Sequence, residues 1–321
     1  MDFQLTADQA EIKAATRKLC AGRCPIDSLR AREGRGLDRD VWAELAGAGF
    51  FSLTTEGFGR AEAALVFVEL GRGLVPGPLV WTHIGATLGI EAGRVVGGIV
   101  AGSGPGSGGR LADGAPVVID HFDDLDDLLV VERDRVMRID PRRVDGRPLE
   151  PLDPLTPVSV ADELPEGDAV GGAAEAARVR LEGAALVAAQ LAGMASALVE
   201  LTVAYTADRR QFGRPVGSFQ ALKHLMADML TRAELARTQA YAAAAWLDDP
   251  ALGPADRAVS AAKVVAGDAA IRNGRDSIQA HGGMGYTWEV DSHLYLKRAW
   301  VLDPLFGSAD DHAEAMAGNL R

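Results

Sequence analysis

The residues from Leu186 to Ala207 are rich in alanine and other small or apolar side chains. Alanine is the strongest helix former, and small side chains let helix axes approach closely. The run therefore predicts a long helix packed tightly among others. Two further helical stretches follow it, Leu222 to Leu247 and one opening at Pro254 and running through Val264, Ala269 and Ile278 to Gly282-Gly283. Proline is tolerated at a helix start because the amide it lacks has no partner there anyway. Tyr295 to Leu302 predicts a shorter helix. From about Leu181 onward the chain is expected to be a helical bundle.

The amino-terminal part is also helical. Thr6-Ala7-Asp8-Gln9 has the form of a capping box, ahead of a helix with Ile12, Ala15 and Leu19 on its apolar face. Asp40 to Phe50 predicts a short helix ended by glycine, and Ala61 to Leu70 another, closed by Gly71-Arg72-Gly73. From about Val95 to Arg180 the pattern changes. Short apolar runs at Val117-Val118-Ile119 and Leu128 to Val131 read as strands. Around them lie the glycine run Gly102 to Gly109, the acidic run Asp123 to Asp127 and the proline-rich Pro148 to Pro157. The glycine run lacks a Gly-Lys-Ser/Thr ending and is broken by Pro105, so it is expected to be hairpin loop, not a phosphate loop. The expected organisation is a helical domain over 1–94, a small β-domain over 95–180 and a helical bundle over 181–321.

A net charge of −12 over 321 residues argues against nucleic acid as a partner, because phosphate backbones attract basic surfaces. Cys20 and Cys24 have no second cysteine pair and no histidine set, so reduced thiols are expected, with no metal site. Met1-Asp2-Phe3-Gln4 has no basic n-region and no apolar h-region, and no apolar run is expected to span a bilayer. The expected location is cytoplasmic.

Chemistry concentrates in Asp208 to His224. Three arginines, Arg209, Arg210 and Arg214, flank Phe212 and a Gly-Arg-Pro turn between two helical patterns. Guanidinium groups beside an aromatic at such a turn suit a phosphate with a flat ring nearby, although a solvated turn has the same composition. The stretch resembles the flavin-binding signature of acyl-CoA dehydrogenases, an Arg-x-x-Phe-Gly turn followed by Phe-Gln and Ala227-Asp228-Met229. Gln279-Ala280-His281-Gly282-Gly283-Met284-Gly285 resembles the same family's Gln-x-x-Gly-Gly-x-Gly segment. Glu69-Leu70-Gly71-Arg72 and Leu74-Val75-Pro76 resemble its amino-terminal domain, so the likeness covers both ends of the chain.

That resemblance implies a mainly α fold with a reduced middle β-domain and a carboxy-terminal four-helix bundle. It also implies FAD, shared at a subunit interface, with Arg209 and Gln211 at the pyrophosphate, Phe212 against the flavin, and Gln279, Gly282 and Gly283 at the adenosine end. Family members take the acyl α-proton with a glutamate in one of two positions. Counted forward from Gln279, one falls on Phe306; counted back from Arg209, the other falls on Gly183, followed by Ala184. Neither accepts a proton. Glu182 and Asp303 are the nearby carboxylates, each expected to be a helix-end or surface group. Glu182 would point roughly 100° away from the Gly183 position around a helix. His281 and His224 are expected to be packed polar residues. The family's Thr-Glu-x-x-Ala-Gly-Ser-Asp loop and Trp-Ile-Thr-Asn strand have no counterpart between Gly85 and Arg180.

The chain thus resembles the short subunits of α2β2 acyl-CoA dehydrogenases of actinobacterial steroid and cholesterol degradation. The expected partners are a longer catalytic subunit, an acyl-CoA thioester and an electron-transfer flavoprotein or similar acceptor, with no membrane or nucleic acid. Two alternatives remain open from the residues: a self-sufficient homomer using Glu182 or Asp303, and a non-enzymatic scaffold or regulatory protein of the same fold.

Overall fold

The structure is a computed structural model that describes residues 4–101 and 116–318. The glycine run Gly102 to Gly109 lies outside the described residues. Five helices open the chain: α1 (Ala7–Arg23), α2 (Ile26–Arg30), α3 (Arg39–Gly47), α4 (Arg60–Arg72) and α5 (Leu79–Thr87). Thr6 caps α1 through its hydroxyl to the Gln9 amide at 3.2 Å, and the Gln9 side chain returns to the Thr6 amide at 3.1 Å. Both cysteines are free and buried at the end of α1. Burial pushes the Cys20 thiol up to about 12 and that of Cys24 up to about 11, which keeps them unreactive.

Seven strands follow: β1 (Val96–Val100), β2 (Val117–Asp120), β3 (Asp127–Val131), β4 (Val136–Ile139), β5 (Arg147–Leu149), β6 (Val158–Ala161) and β7 (Asp168–Gly171). They form two sheets, ordered β1-β3-β4-β7 and β2-β6-β5, with only β1 and β3 running parallel within the described sheets. The continuous apolar run of β3 is explained by burial on both faces. Leu128 and Val130 join Ile99, Ile119 and Ile139 in the β core, whereas Leu129 and Val131 join the helical core.

The rest is α6 (Ala173–Asp208), the two-residue strands β8 (Arg210–Gln211) and β9 (Arg214–Pro215), then α7 (Gln220–Asp248), α8 (Ala255–Ala280), α9 (Ser292–Leu302) and α10 (Ala309–Gly318). The helix α6 begins at Ala173, so the last residues of the span expected to be β are helical. Its start is fixed locally, with the Glu175 carboxylate accepting from the Gly172 amide at 2.9 Å. Contrary to the expectation that no apolar run could cross a bilayer, α6 is long and apolar enough to do so. Yet 83% of its apolar window is buried, so that surface is covered by protein.

A second correction concerns Gly71, expected to end its helix. The helix α4 continues through it to Arg72. A Cβ at Gly71 would overlap the Gln190 carbonyl, and one at Gly193 would overlap the Val68 carbonyl. The two glycines let the α4 and α6 backbones touch. Overpacking of this kind costs roughly 1–3 kcal/mol, so Gly193→Ala should lower the unfolding free energy by at least that much, read as a fall in the urea midpoint. An unchanged midpoint would mean that the crossing is not this tight.

Candidate functional site

Gly183, near the start of α6, and Phe306, in the turn after α9, are 123 residues apart in sequence and in contact in space. A Cβ on Gly183 would overlap the Phe306 ring. On its other side that ring lies 4.4 Å from the Trp81 ring of α5, tilted by 34°. The turn holding it is unusual. Phe306 has φ 59° and Gly307 φ 106°, and the His312 ring pins the turn by facing the Phe306 carbonyl at 3.1 Å and the Ser260 hydroxyl at 3.0 Å. A bulky residue in left-handed backbone is costly and persists only when its surroundings hold it. Gly183 and Phe306, the two positions onto which the sequence resemblance places a base, are thus apolar and in contact with one another.

The two neighbouring acids lie elsewhere. Glu182, expected at a helix end or on the surface, is buried within α6. Arg60 Nε donates to its Oε1 at 2.5 Å and Arg178 Nη1 to its Oε2 at 2.7 Å. Arg60 also donates to Asp248 at 3.4 Å, so the carboxylate ties the start of α4 to α6 and the end of α7. Asp303 is the C-terminal cap of α9. Its side chain lies against Gly267, and the buried Lys263 ammonium donates to its carbonyl at 2.6 Å. Burial raises the Asp303 carboxyl above its ordinary range, with Lys263 pulling the other way. Neither acid is among the residues around the Phe306 ring. The carboxylates that do border the cavity beside Phe306 are Asp120, at the end of β2, and Asp153, which is paired with Arg298; sequence reasoning missed both.

The residues assigned to the dinucleotide end gather at the opposite end of α6. Arg209 caps that helix, and β8 and β9 form a short hairpin carrying Gln211 and Phe212. Phe212 has φ 51° and is 90% exposed. A strained, solvent-facing aromatic is more in keeping with contact than with packing. Arg214 stacks on Phe219 at 4.1 Å, whereas the Arg209 guanidinium has no partner among the described residues. The second motif is bound to the first through Tyr205, one turn before Arg209. Its ring stacks on His281 at 4.1 Å and its hydroxyl donates to the His281 carbonyl at 3.2 Å. His281 is buried, with Nδ1 2.7 Å from the Ser277 carbonyl, whereas His224, expected to be packed, is exposed, with Nε2 3.2 Å from the Gln220 side-chain amide. Gln279, Gly282 and Gly283 are exposed, Gly282 has φ 61°, and nothing lies within 4 Å of a Cβ built on either glycine. Their backbone is thus open to a ligand.

A family model for the acyl-CoA dehydrogenase carboxy-terminal domain matches residues 174–320. The chain is 33% identical over 290 residues to the acyl-CoA dehydrogenase IpdE2 of Mycobacterium tuberculosis, covering 87% of this chain and 86% of that protein. It is 34% identical over 302 residues to the acyl-CoA dehydrogenase FadE34 of the same organism, covering 84% of this chain and 40% of that protein. Among solved structures, the ChsE4-ChsE5 complex from Mycobacterium tuberculosis superposes with a TM-score of 0.85 at 21% identity, over 100% of this chain and 99% of that chain. The Tcur3481-Tcur3483 steroid acyl-CoA dehydrogenase gives 0.81 at 22% identity, over 98% and 97%. The fold is that of the acyl-CoA dehydrogenases. This chain belongs to the acyl-CoA dehydrogenase family, a family of flavin-dependent oxidoreductases.

The geometry of Glu182 yields a test. Removing one partner of a fully buried ion pair costs roughly 3–5 kcal/mol. Here the side chains of Arg60 and Arg178 remain 33% and 30% exposed, so Glu182→Gln should cost less, about 2–3 kcal/mol. Chemical denaturation reads this directly. Native stability together with lost dehydrogenation would instead make Glu182 a working base.

Proposed function

We propose that this chain is the short subunit of a heteromeric acyl-CoA dehydrogenase. It grips the pyrophosphate and adenosine end of an FAD whose ring, with the acyl-CoA thioester, lies on a longer partner subunit. The observation that carries this reading is the Phe306 ring seated on Gly183. Where a base would be needed, this chain has two apolar residues filling one another's space.

The length of α6 supports a site shared between chains. Gly183 and Arg209 are separated by 26 residues, about 39 Å at 1.5 Å per residue. One rigid helix thus keeps the position for the proton acceptor far from the turn for the phosphates, and a flavin using both functions draws on two chains. The apolar plug supports those two chains being different.

The residues present fit the dinucleotide end of FAD. Arg209 offers an unpaired guanidinium for a bidentate phosphate contact. Gln211 offers amide donors beside it, Phe212 an aromatic face, and Gly282 and Gly283 an open backbone beside Gln279. When bound, FAD supplies the hydride acceptor for α,β-dehydrogenation of an acyl-CoA. This chain's part is to hold and orient, and the partner takes the α-proton. A bulky polycyclic CoA ester as substrate is supported by the likeness to the Tcur3481-Tcur3483 steroid acyl-CoA dehydrogenase. An electron-transfer flavoprotein or similar carrier would accept the electrons, and the cytoplasm is the fitting compartment for CoA chemistry.

Co-expression tests this. The chain produced with its genomic-neighbour dehydrogenase should co-purify as a yellow complex, and alone it should be colourless. A yellow, active preparation of this chain alone would make it a homomer, and no flavin in either case would make it a scaffold. Within the yellow complex, Arg209→Ala should weaken FAD binding by about 10- to 100-fold, since a hydrogen bond to a charged group is worth roughly 1.5–3 kcal/mol. Unchanged flavin content at limiting FAD would remove Arg209 from the site.

A further inference from the structure

A cavity of about 300 Å³ lies between α5, the two sheets and the end of α9, bordered by Trp81, Val118, Leu152, Val301, Leu305 and Phe306. Val118 and Leu152 are exposed, so its mouth is apolar and open to solvent. It adjoins an inner recess of about 30 Å³, and Asp120 and Thr156 border both. A space of that size takes one water-sized group.

The recess is polar and incompletely matched. Arg298 and Asp153, both buried, satisfy one another. Arg298 donates further to the Val75 carbonyl at 3.2 Å and the Leu155 carbonyl at 3.4 Å. The Thr156 hydroxyl donates to Asp153 at 2.7 Å. Asp120, by contrast, has no hydrogen bond to its carboxyl among the described residues. His121 is 3% exposed and held at φ 55°, and its Nδ1 has no partner. Burial drives its imidazole down to about 3, so it is neutral. With Asp120 ionised, two carboxylates face one guanidinium. The excess is negative, and it opens onto hydrocarbon.

We propose that these two chambers are a binding site for a small primary amine with an apolar body. Its ammonium sits in the recess against Asp120 and His121 Nδ1, and its hydrocarbon fills the outer chamber. An anion would meet the excess carboxylate. A pure hydrocarbon would leave Asp120 and His121 unmatched, and unmatched buried polar groups oppose binding. An apolar cavity of about 150 Å³ already accepts benzene in a well-studied lysozyme variant, so a ring with a two-carbon arm is within reach here. None of the residues assigned to the flavin borders the chambers, so this site stands or falls apart from the shared-flavin reading.

The test titrates the full chain with phenethylamine, using ethylbenzene and 3-phenylpropionate as matched probes. Saturable binding of the amine and a rise in melting temperature are expected, with both other probes at least about tenfold weaker. Asp120→Asn keeps the shape and should weaken the amine by at least about tenfold. The wild type should lose the same factor as pH falls through about 6, the value to which burial lifts Asp120 against the pull of Arg298. Of the groups facing Asp120 besides the Arg298 guanidinium, His121 stays neutral down to about 3. Asp153, despite its burial, is held below its ordinary range by Arg298 and Thr156. No saturable binding to a chain of native stability, or equal binding of ethylbenzene, would overturn the proposal, as would an Asp120→Asn variant that binds the amine undiminished.

Discussion

The structure depends on how closely α6 can be approached. Alanine and glycine on successive faces let α4, α7 and α8 pack against one central helix, and at Gly71 and Gly193 the α4 and α6 backbones come into contact. Buried this way, α6 is a rigid rod, and what it carries is fixed by its length. Gly183 stands near one end with Phe306 on it. At the other end Tyr205 and Arg209 hold the exposed hairpin and, through His281, the glycine turn after α8. A stable core and two separated surfaces are consequences of the same helix.

Burial also decides what each acidic residue can do. Glu182 and Asp153 are both withdrawn from water, and each is matched by arginine: Glu182 by Arg60 and Arg178, Asp153 by Arg298. A carboxylate so held is enclosed by its partners and poorly placed to collect a substrate proton. The Arg60–Glu182–Arg178 clamp joins two helices, α4 and α6, one residue away from Gly183. The exposed motif is the converse. Arg209 and Phe212 are exposed and contribute little to the core.

Features set by near neighbours were legible in the sequence. The Thr6–Gln9 box and the proline opening α8 rest on contacts within a few residues, and the strands at Val117 and Leu128 show as local apolar runs although their partners Ala161 and Gly97 are distant. What was hidden rests on distant partners. Glu182 reads as an exposed helix-end acid because Arg60, 122 positions earlier, is invisible from its surroundings. Gly71 reads as a helix stop because local rules cannot show Gln190 pressing on it. Asp120 and His121 were overlooked beside the acidic run Asp123 to Asp127. Only the folded sheet turns that pair toward Arg298, while Asp127 within the run is buried between Arg94 and Arg138.

Gly183 and Phe306, counted along the chain as two separate vacancies, are a single event in space. With a ring at 306, only glycine fits at 183; with glycine at 183, a large side chain at 306 is needed to avoid a void beside Trp81. Restoring an acid at either position alone meets the other. A carboxylate at 183 would run into the Phe306 ring, and one at 306 would be buried against Trp81 with no partner to hold its charge. Each residue keeps the other in place, so neither position can take an acid by a single substitution without meeting its neighbour. The exposed turn around Arg209, about 39 Å away along α6, is under no such constraint. One end of the helix is fixed by mutual packing, and the other is left open to solvent.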